Sequence, residues 1–211
     1  MKNNNSLSAL QPLMFVRHGA TEPNLAGLRC GGDLDVPLSA EGRNQARSAA
    51  EQMRAMGWPV GVIVSSDLQR TRETAHIIKG VFPDVELIIA PGFAERHLGE
   101  WNLLPIADTE AALNAGATPP GGESRAVFFD RIAAAVDILL PRLSQLSHPP
   151  LLVASKGVAR VLGELLSGSV LRYTSADTSA DTRSDRGAQN GELIRFELAP
   201  YTQQFAARCN A

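Results

Sequence analysis

Four side chains with the chemistry of phosphoryl transfer each follow closely on a short apolar run of the sequence: Arg17, His18, Arg70 and Glu95. The two arginines carry planar, permanently charged forks that suit phosphate oxygens. A neutral imidazole at His18 can attack phosphorus as a nucleophile. Glu95 can protonate a leaving oxygen and then accept a proton from water. Together they predict a site that transfers or hydrolyses a phosphoryl group.

Smaller residues near these four are candidates for binding the same ligand. Asn24 can donate a neutral hydrogen bond to phosphate oxygens. Gly19 and Gly31 have no side chain, so we expect the backbone to approach a ligand closely at both positions.

Hydrophobic patterns predict the strands that must position these groups. Four short apolar runs predict buried strands, at 13–16, 60–66, 85–90 and 151–155. The alternating run 191–199 predicts a strand of the edge type. In an open parallel sheet, ligands bind at the carboxyl ends of the strands. The side chains that follow the buried runs are therefore expected to meet at one edge of the sheet.

Helices are predicted between the strands. The first begins at Ser39, a good capping residue, and can close at Gly57. The others are predicted at 67–79 with Gly80 as a stop, at 123–143, and at 157–168. Pro141 predicts a kink or an early end in the helix that contains it.

The alternation of strands and helices predicts an α/β fold, a three-layer sandwich with a mainly parallel central sheet and helices on both faces. Residues 1–12 are expected to be a disordered lead-in, 13–200 a single domain and 201–211 a C-terminal tail. Residues 97–122 and 173–190 show no clear period. Because the second stretch is polar and low in complexity, we expect a flexible loop there, with a mobile lid as the alternative.

Composition limits the classes of partner. The 211 residues carry a formal net charge of -2 and are 44% hydrophobic, which is typical of a soluble globular protein and offers no global attraction for nucleic acid. Cys30 and Cys209 match neither a zinc motif nor a disulfide framework, so free thiols are expected. No signal peptide and no membrane-spanning run is evident. We therefore expect a cytoplasmic protein whose partner is a small phosphorylated substrate or phosphate, with no nucleic-acid or membrane partner; the oligomeric state stays open.

The segments that carry these residues resemble the histidine phosphatase superfamily, the phosphoglycerate mutase-like proteins. "VRHGATEPN" resembles the nucleophile motif of that family, "SSDLQRTRETA" its second-arginine motif and "ERHLGEW" its acid motif. "DVPLSAEGRNQA" and "PPGGES" resemble two further family segments. The resemblance runs from residue 13 to 160, and weakly to the last predicted strand.

The resemblance implies a phosphohistidine intermediate and neither a metal nor a cofactor. It implies that His18 is phosphorylated, that Arg17 and Arg70 clamp the phosphoryl group, that Asn24 assists, and that Glu95 is the acid and base. The family's phosphoglycerate mutases have a long insertion after the acid motif, and this chain has a short interval there. The resemblance is therefore to the phosphatase-type branch.

The sequence departs from the family pattern after the fourth strand. The family has a histidine, any residue and a glycine there, whereas this chain has Ser155, Lys156 and Gly157. Ser155 is therefore assigned to the place of the second catalytic histidine, and a register shift of one residue would put Lys156 there. Ser155 can donate a neutral hydrogen bond but supplies no positive charge. Lys156 restores a charge only if its stem reaches the pocket.

The resulting prediction is a phosphomonoester hydrolase that works through phospho-His18 and is weakened by Ser155. Loss of one preorganised stabiliser of transition-state charge costs roughly 10² to 10³ in kcat. The alternative is a catalytically silent protein of the same fold that binds a phosphorylated ligand or has a regulatory role. A mutase-type phosphotransferase is less favoured.

Six further residues near these motifs are expected to have structural and not catalytic roles. Three histidines are not expected to replace the missing one: His76, His97 and His148. Three apolar residues are expected to pack against the sheet, with contact to an apolar leaving group as the alternative: Trp101, Leu103 and Leu104.

Overall fold

The structure is a computed structural model of the chain. It describes residues 11–143, 145–166 and 188–196 in full, and the backbone of two further strands at 170–174 and 177–181. The strands in this part of the chain are β1 (Leu13–Arg17), β2 (Val62–Ser65), β3 (Leu87–Ile89), β4 (Pro150–Ala154), β5 (Val170–Thr174), β6 (Asp177–Asp181) and β7 (Leu193–Phe196). The helices are α1 (Glu22–Leu25), α2 (Ala40–Ala55), α3 (Gln69–Val81), α4 (Ile106–Asn114), α5 (Arg125–Leu143) and α6 (Lys156–Leu166), with short 3-10 turns at Pro91–Phe93 and Gly99–Trp101.

The strands form one mixed sheet in the order β3-β2-β4-β1-β7-β5-β6. The four strands from β3 to β1 are parallel, whereas β7, β5 and β6 add to them with antiparallel pairing. The predicted parallel centre of the sheet is confirmed. Because β1, β2, β3 and β4 point the same way, the segments that follow them lie along one edge, as the sequence predicts.

Two apolar layers cover the sheet. On one face, residues of α5 and α6 such as Ile132 and Leu162 pack with Phe15 of β1. On the other face, Met53 of α2 and Ile78 of α3 pack against the alternate residues of the same strands. A strand buried on both faces in this way is typical of a sheet with helices on each side. The predicted three-layer α/β sandwich is confirmed.

The ends of two helices differ in how well the sequence predicts them. Ser39 caps α2 as predicted, because its Oγ accepts an N–H of the first turn at 3.0 Å, and Gly57 follows the helix with a φ of +63°. α3 begins two residues later than predicted and runs one residue past Gly80. Its start is capped from another segment, since the Asp35 carboxylate accepts a hydrogen bond from the N–H of Gln69 at 2.6 Å. A cap so distant in sequence leaves no local signal.

Two predictions at the far side of the sheet are wrong. The run 191–199 was expected at an edge, yet β7 lies inside the sheet between β1 and β5. Within the strand, Arg195 is the one residue that is not buried, and the other three residues are apolar and buried. The stretch 173–190 was expected to be a loop, yet it contains β6, which pairs with β5 through the backbone. An edge strand needs such pairing but no apolar sequence; residues 182–187, on which the lid alternative also falls, lie outside the described residues.

Two helices also depart from the sequence prediction. The stretch 97–122, which shows no clear period, contains the nine residues of α4. This helix has one buried residue, Thr109, so it lacks the apolar stripe that would have revealed it. α5 continues to Leu143, two residues past Pro141, so the predicted early end is wrong.

Several expectations concern groups outside the sheet. Cys30 is a free cysteine, as predicted, and Cys209 lies outside the described residues. Residues 1–10 and 201–211 of the predicted lead-in and tail also lie outside them. In the described part of the chain, no helix is long and apolar enough to cross a membrane.

Candidate active site

The end of β1 brings Arg17 and His18 beside the end of β4. Arg17 pairs with Ala154 in the parallel register, and the N–H of His18 donates to the carbonyl oxygen of Ala154 at 3.0 Å. Ser155 follows Ala154 directly, so it lies next to His18 at the edge of the sheet. The strand pairing thus brings together two residues that are 137 positions apart (155 − 18).

His18 is buried and held in one tautomer. Its Nδ1 lies 2.7 Å from the carbonyl oxygen of Gly19, and because a carbonyl can only accept, Nδ1 must carry the proton. Burial, reinforced by the charges of Arg70 and Arg17, holds the pKa of His18 well below its usual value. The imidazole is therefore neutral near pH 7, and its lone pair lies on Nε2.

Both arginines are anchored at their tips and leave one inner nitrogen without a partner. Arg70 is fully buried, and its two terminal nitrogens donate to the carbonyl oxygens of Leu34 at 2.8 Å and Gly31 at 3.0 Å. Arg17 donates from Nη1 to the carbonyl oxygen of Ala188 at 2.8 Å. In each case the buried Nε has no hydrogen-bond partner. The forks are held in place before any ligand binds.

Keeping both buried arginines charged costs free energy when no anion is bound. Burial lowers the pKa of Arg17 to about 10; the nearby Glu95 opposes this shift, and the charge of Arg70 adds to it. Arg17 is still protonated near pH 7, so the pocket holds two like charges with little water around them. A bound anion would relieve both the burial and the repulsion.

Ser155 and Lys156 differ sharply in where they lie. Ser155 is 1% exposed, and its Oγ has no hydrogen-bond partner. Lys156 begins α6 and is exposed to solvent. Of the two registers that the sequence leaves open, the buried position beside His18 is therefore that of Ser155.

The unpartnered polar atoms coincide with the predicted site. Among the residues that the structure describes, three buried side-chain nitrogens or oxygens lack a hydrogen-bond partner: Arg17 Nε, Arg70 Nε and Ser155 Oγ. A buried donor without a partner is costly and calls for an explanation. All three belong to residues that the sequence assigned to phosphate binding, and a ligand with several acceptor oxygens would satisfy them together.

Glu95 is held at the start of α6. Its Oε1 accepts the N–H of Arg96 at 2.7 Å, and its Oε2 accepts the N–H of Gly157 at 2.9 Å. Arg131 of α5 donates to the backbone oxygen of Glu95 at 3.2 Å and forms an ion pair with Glu123 of the "PPGGES" segment. Two backbone N–H groups therefore hold the carboxylate of Glu95, and Arg131 holds its backbone.

The two glycines and the asparagine predicted to touch a ligand have other contacts. An added Cβ at Gly19 would lie 2.1 Å from the carbonyl oxygen of Gly42, so α2 is what approaches there. The N–H of Gly31 donates to Asn102 Oδ1 at 2.7 Å, so this group is engaged within the chain. Asn24 forms a reciprocal capping box with Thr21, which shapes the turn after His18. Both glycines are thus closely packed against other segments of the chain, and their contact with a ligand stays a prediction.

The sequence missed two residues that hold the nucleophile turn. Asn190 donates from Nδ2 to the backbone oxygen of His18 at 2.8 Å. Thr74 of α3 accepts the N–H of Gly19 at 3.2 Å and donates to the backbone oxygen of Arg70 at 2.8 Å. Asn190 lies at the end of a low-complexity stretch, and no sequence signal marks it.

The remaining predicted residues lie at the surface. His76 and His148 are exposed, and His97 is exposed with its ring edge close to Gly32. Leu103 and Leu104 are 50% and 40% exposed, so the prediction that they pack against the sheet is wrong. They lie on a segment that pairs with residues 27–29 rather than with the sheet.

The chemistry available here is that of an anion cradle with a nucleophile and a carboxylate. His18 offers a neutral nitrogen, and the arginine and serine donors face the same edge of the sheet. In the described residues, no three histidine, cysteine, aspartate or glutamate side chains lie together as metal ligands.

Comparison with known proteins agrees with this arrangement. The family model of the histidine phosphatase superfamily (branch 1) matches residues 13–180. The chain is 36% identical to the glucosyl-3-phosphoglycerate phosphatase of Mycolicibacterium vanbaalenii over 170 residues, which cover 74% of each chain. It is 35% identical to a probable phosphoglycerate mutase of Serratia proteamaculans, over 72% of each chain.

Solved structures give the same result. The mycobacterial glucosyl-3-phosphoglycerate phosphatase in complex with VO3 superimposes with a TM-score of 0.65 at 32% identity, over 75% of this chain and 81% of that one. The fold, the matched family and the similarity to phosphatases agree with one another. The chain therefore belongs to the histidine phosphatase superfamily and is a phosphoric monoester hydrolase of that family.

Proposed function

We propose that the protein hydrolyses small phosphomonoesters through a phosphohistidine intermediate on His18, with Ser155 in the place of the second catalytic histidine. The observation that carries this proposal is the set of three unpartnered buried donors on Arg17, Arg70 and Ser155. The charges of both arginines act on the buried imidazole of His18, Ser155 follows the residue that pairs with Arg17, and the tautomer of His18 leaves Nε2 unprotonated.

In the first half-reaction, His18 Nε2 forms a bond to phosphorus as the ester bond from phosphorus to the leaving oxygen breaks. The charge that develops on the phosphoryl oxygens is stabilised by donors that are already in position. Protonated Glu95 gives its proton to the leaving oxygen, so the alcohol departs neutral. Arg17 and Arg70 match the two negative charges of the phosphoryl group.

In the second half-reaction, Glu95 accepts a proton from water, and the water oxygen attacks phosphorus. The bond from phosphorus to Nε2 breaks, which returns His18 to its neutral form and releases phosphate. The backbone contact from Nδ1 to Gly19 persists through both steps and keeps the ring in one orientation. Atoms and charges balance without a cofactor.

Ser155 sets the expected rate. A serine donates one neutral hydrogen bond to a phosphoryl oxygen and adds no charge. Removal of one such preorganised stabiliser lowers kcat by roughly 10² to 10³. We therefore expect a slow phosphatase, and the same feature supports the alternative of a protein that binds phosphate without turnover.

Hydrolysis is favoured over a mutase reaction. The chain between Glu95 and Glu123 contains one α-helix, α4, of nine residues. It has no long insertion of the kind that would exclude water from the phosphohistidine. Relatives of both kinds match, since one is named a phosphatase and another a probable phosphoglycerate mutase. The similarity to glucosyl-3-phosphoglycerate phosphatases supports the substrate class that we propose, since glucosyl-3-phosphoglycerate is itself a small phosphomonoester.

The experiment is a steady-state assay with p-nitrophenyl phosphate combined with trapping of an acid-labile phosphoenzyme. Wild type is expected to turn over slowly and to form the phosphoenzyme, and His18→Ala is expected to do neither. His76→Ala, which removes an exposed imidazole from α3, is the matched control and is expected to behave as wild type. Equal turnover by wild type and His18→Ala would overturn the proposal. Phosphate binding that depends on Arg70, without turnover, would instead establish the silent alternative.

A further inference from the structure

The "PPGGES" segment, to which the proposed function gives no part, is joined to the segment that carries Glu95. The N–H of Glu123 donates to the carbonyl oxygen of His97 at 2.9 Å, and the N–H of His97 donates to the Glu123 carboxylate at 3.1 Å. Arg96 Nε donates to the carbonyl oxygen of Glu123 at 2.8 Å. Glu123 therefore binds the two residues that directly follow Glu95.

Arg131 of α5 binds Glu95 itself and the residues before it. Its Nη1 donates to the carbonyl oxygens of Gly92 and Ala94, both at 3.0 Å, and its Nη2 donates to that of Glu95 at 3.2 Å. Nε and Nη2 also donate to the two carboxylate oxygens of Glu123, each at 2.8 Å. These contacts engage all five N–H donors of a guanidinium, so the fork is held in one orientation.

Helix α5 lies directly against this segment. A Cβ added to Gly92 would lie 2.8 Å from the Cβ of Ala135, one helical turn after Arg131. The guanidinium of Arg131 also lies over the ring of Phe128, 5.2 Å from its centroid, and Phe128 is buried in the core. The packed core therefore helps to fix the position of Arg131.

The pair of Glu123 and Arg131 is ionised and mostly shielded from water. The Glu123 side chain is 10% exposed and that of Arg131 is 25% exposed. Burial opposes the ionisation of Glu123, but hydrogen bonds from Arg131 and from the N–H of His97 outweigh it and hold the pKa of Glu123 below its usual value. A bidentate pair of this kind is directional, so it can fix the backbone that it binds.

Glu95 has no helix or strand to place it, because residues 94–98 belong to neither. Its carboxylate accepts the N–H groups of Arg96 and Gly157, and its carbonyl oxygen accepts from Arg131. The two bonds to the carboxylate keep their geometry only while the backbone of Glu95 stays in place. A displacement of about 1 Å in a reacting group can lower a rate roughly 10²-fold.

We infer that Glu123 and Arg131 are positioning residues that hold the Glu95 carboxylate where it protonates the leaving oxygen. The inference rests on the proposed function, in which Glu95 gives its proton to that oxygen as the bond to phosphorus breaks. Both residues act through Glu95 and need no contact with the substrate. Their effect is therefore expected only where the leaving group needs a proton.

The test compares two aryl phosphates that differ in this need. The 2,4-dinitrophenolate anion is stable and leaves without a proton, whereas phenyl phosphate loses its leaving group far more easily as neutral phenol. The value of kcat/KM is measured for both, because it reports the first half-reaction and not the hydrolysis of the phosphohistidine. An unfolded fraction of enzyme lowers both values equally, so their ratio reports on the folded enzyme alone.

Glu95→Gln, which removes the acid, is the reference and is expected to lower kcat/KM for phenyl phosphate by roughly 10², with a much smaller effect on 2,4-dinitrophenyl phosphate. Arg131→Met and Glu123→Gln are expected to show the same selectivity, with a loss of roughly ten- to a hundredfold for phenyl phosphate. Added to Glu95→Gln, Arg131→Met should change the ratio no further, because both changes act on one proton transfer. Arg142→Met, which breaks the ion pair of α5 with Glu86, is the control and should keep the wild-type ratio.

A wild-type ratio in both Arg131→Met and Glu123→Gln, with or without a loss of total activity, would overturn the inference and leave the phosphatase proposal standing. If Arg131→Met does not fold, the ratio in Glu123→Gln decides. If neither substrate is turned over in a His18-dependent manner, the proposed function fails and the inference falls with it.

Discussion

The N–H of Gly157 donates to Oε2 of Glu95 at 2.9 Å, and a Cβ added to Gly157 would lie 2.2 Å from Oε1 of the same carboxylate. The first turn of α6 and the carboxylate are thus in direct contact, with no room for a side chain between them. The φ of Gly157 is not in the left-handed region, so the backbone conformation does not require a glycine there. A glycine is needed because a side chain would collide with the Glu95 carboxylate.

The first prediction is that Gly157→Ala displaces the Glu95 carboxylate and lowers kcat for p-nitrophenyl phosphate by roughly 10², the lower end of a general acid's contribution. Alanine is a better helix former than glycine, so the helix itself should not unfold. The measurement is kcat together with the thermal midpoint of unfolding.

Gly163 provides the matched control in the same helix. A Cβ at Gly163 would meet nothing within 4 Å, so Gly163→Ala should keep kcat and gain up to about 1 kcal/mol in stability. Equal kcat in the two alanine variants would show that the contact between Gly157 and Glu95 has no catalytic role.

The second prediction concerns Ser155. Because Ser155 lies beside His18 across the β1–β4 pairing, Ser155→His should raise kcat at least about tenfold by placing an imidazole against the phosphoryl oxygens. Lys156→His should give no such gain, since position 156 is exposed. A gain in Lys156→His and none in Ser155→His would mean that the register assigned to Ser155 is wrong.

The sequence predicts the core of the site because parallel strands order it. Arg17, His18 and Glu95 follow apolar runs, and the rule that ligands bind at the carboxyl ends of strands needs no knowledge of side-chain contacts. The same rule predicts Ser155 as a site residue, because it follows the end of β4. These residues could be found because each lies within a few positions of an element with a clear pattern.

The contacts that fix these side chains could not be predicted, because they join distant segments through single hydrogen bonds. Asp35 caps α3 from 34 positions away, and Asn190 reaches His18 across 172. The position of β7 inside the sheet was not predicted for a related reason. Arg195 interrupts its apolar residues and gives the strand the sequence pattern of an edge strand. Local periodicity carries no information on such pairings.

The third prediction is that Asn190→Ala lowers kcat by roughly five- to tenfold with little change in KM, since a small displacement of a nucleophile slows the chemical step. Asn190 donates to the backbone oxygen of His18, and its loss leaves that buried oxygen without this donor. Asn190→Asp should be more damaging, because a carboxylate would then face a carbonyl oxygen. Steady-state kinetics of both variants provide the measurement.

Asn44→Ala is the control for this change, because Asn44 is an exposed asparagine on α2 that contacts Arg47. It should leave both kinetic constants as in wild type. A rise in KM with unchanged kcat in Asn190→Ala would argue that Asn190 serves substrate binding and does not position His18.

The last prediction follows from the neutral state of His18. Burial, with the charges of Arg70 and Arg17, lowers the pKa of His18 in the folded protein. A histidine in an unfolded chain has a pKa of about 6.5. Below that pH the unfolded chain takes up a proton that the folded chain refuses, so the free energy of unfolding falls as pH falls. The slope from this group reaches at most about 1.4 kcal/mol per pH unit.

Chemical denaturation between pH 7.5 and pH 5 measures this slope, with His18→Gln as the comparison because glutamine does not titrate. The variant should lose stability less steeply than wild type below about pH 6.5, since one proton-uptake site is removed from its unfolded chain. Superimposable pH dependences would mean that His18 is charged in the folded protein near pH 6. In that case Nε2 carries a proton at that pH and is no nucleophile, so the first half-reaction would need a different attacking group.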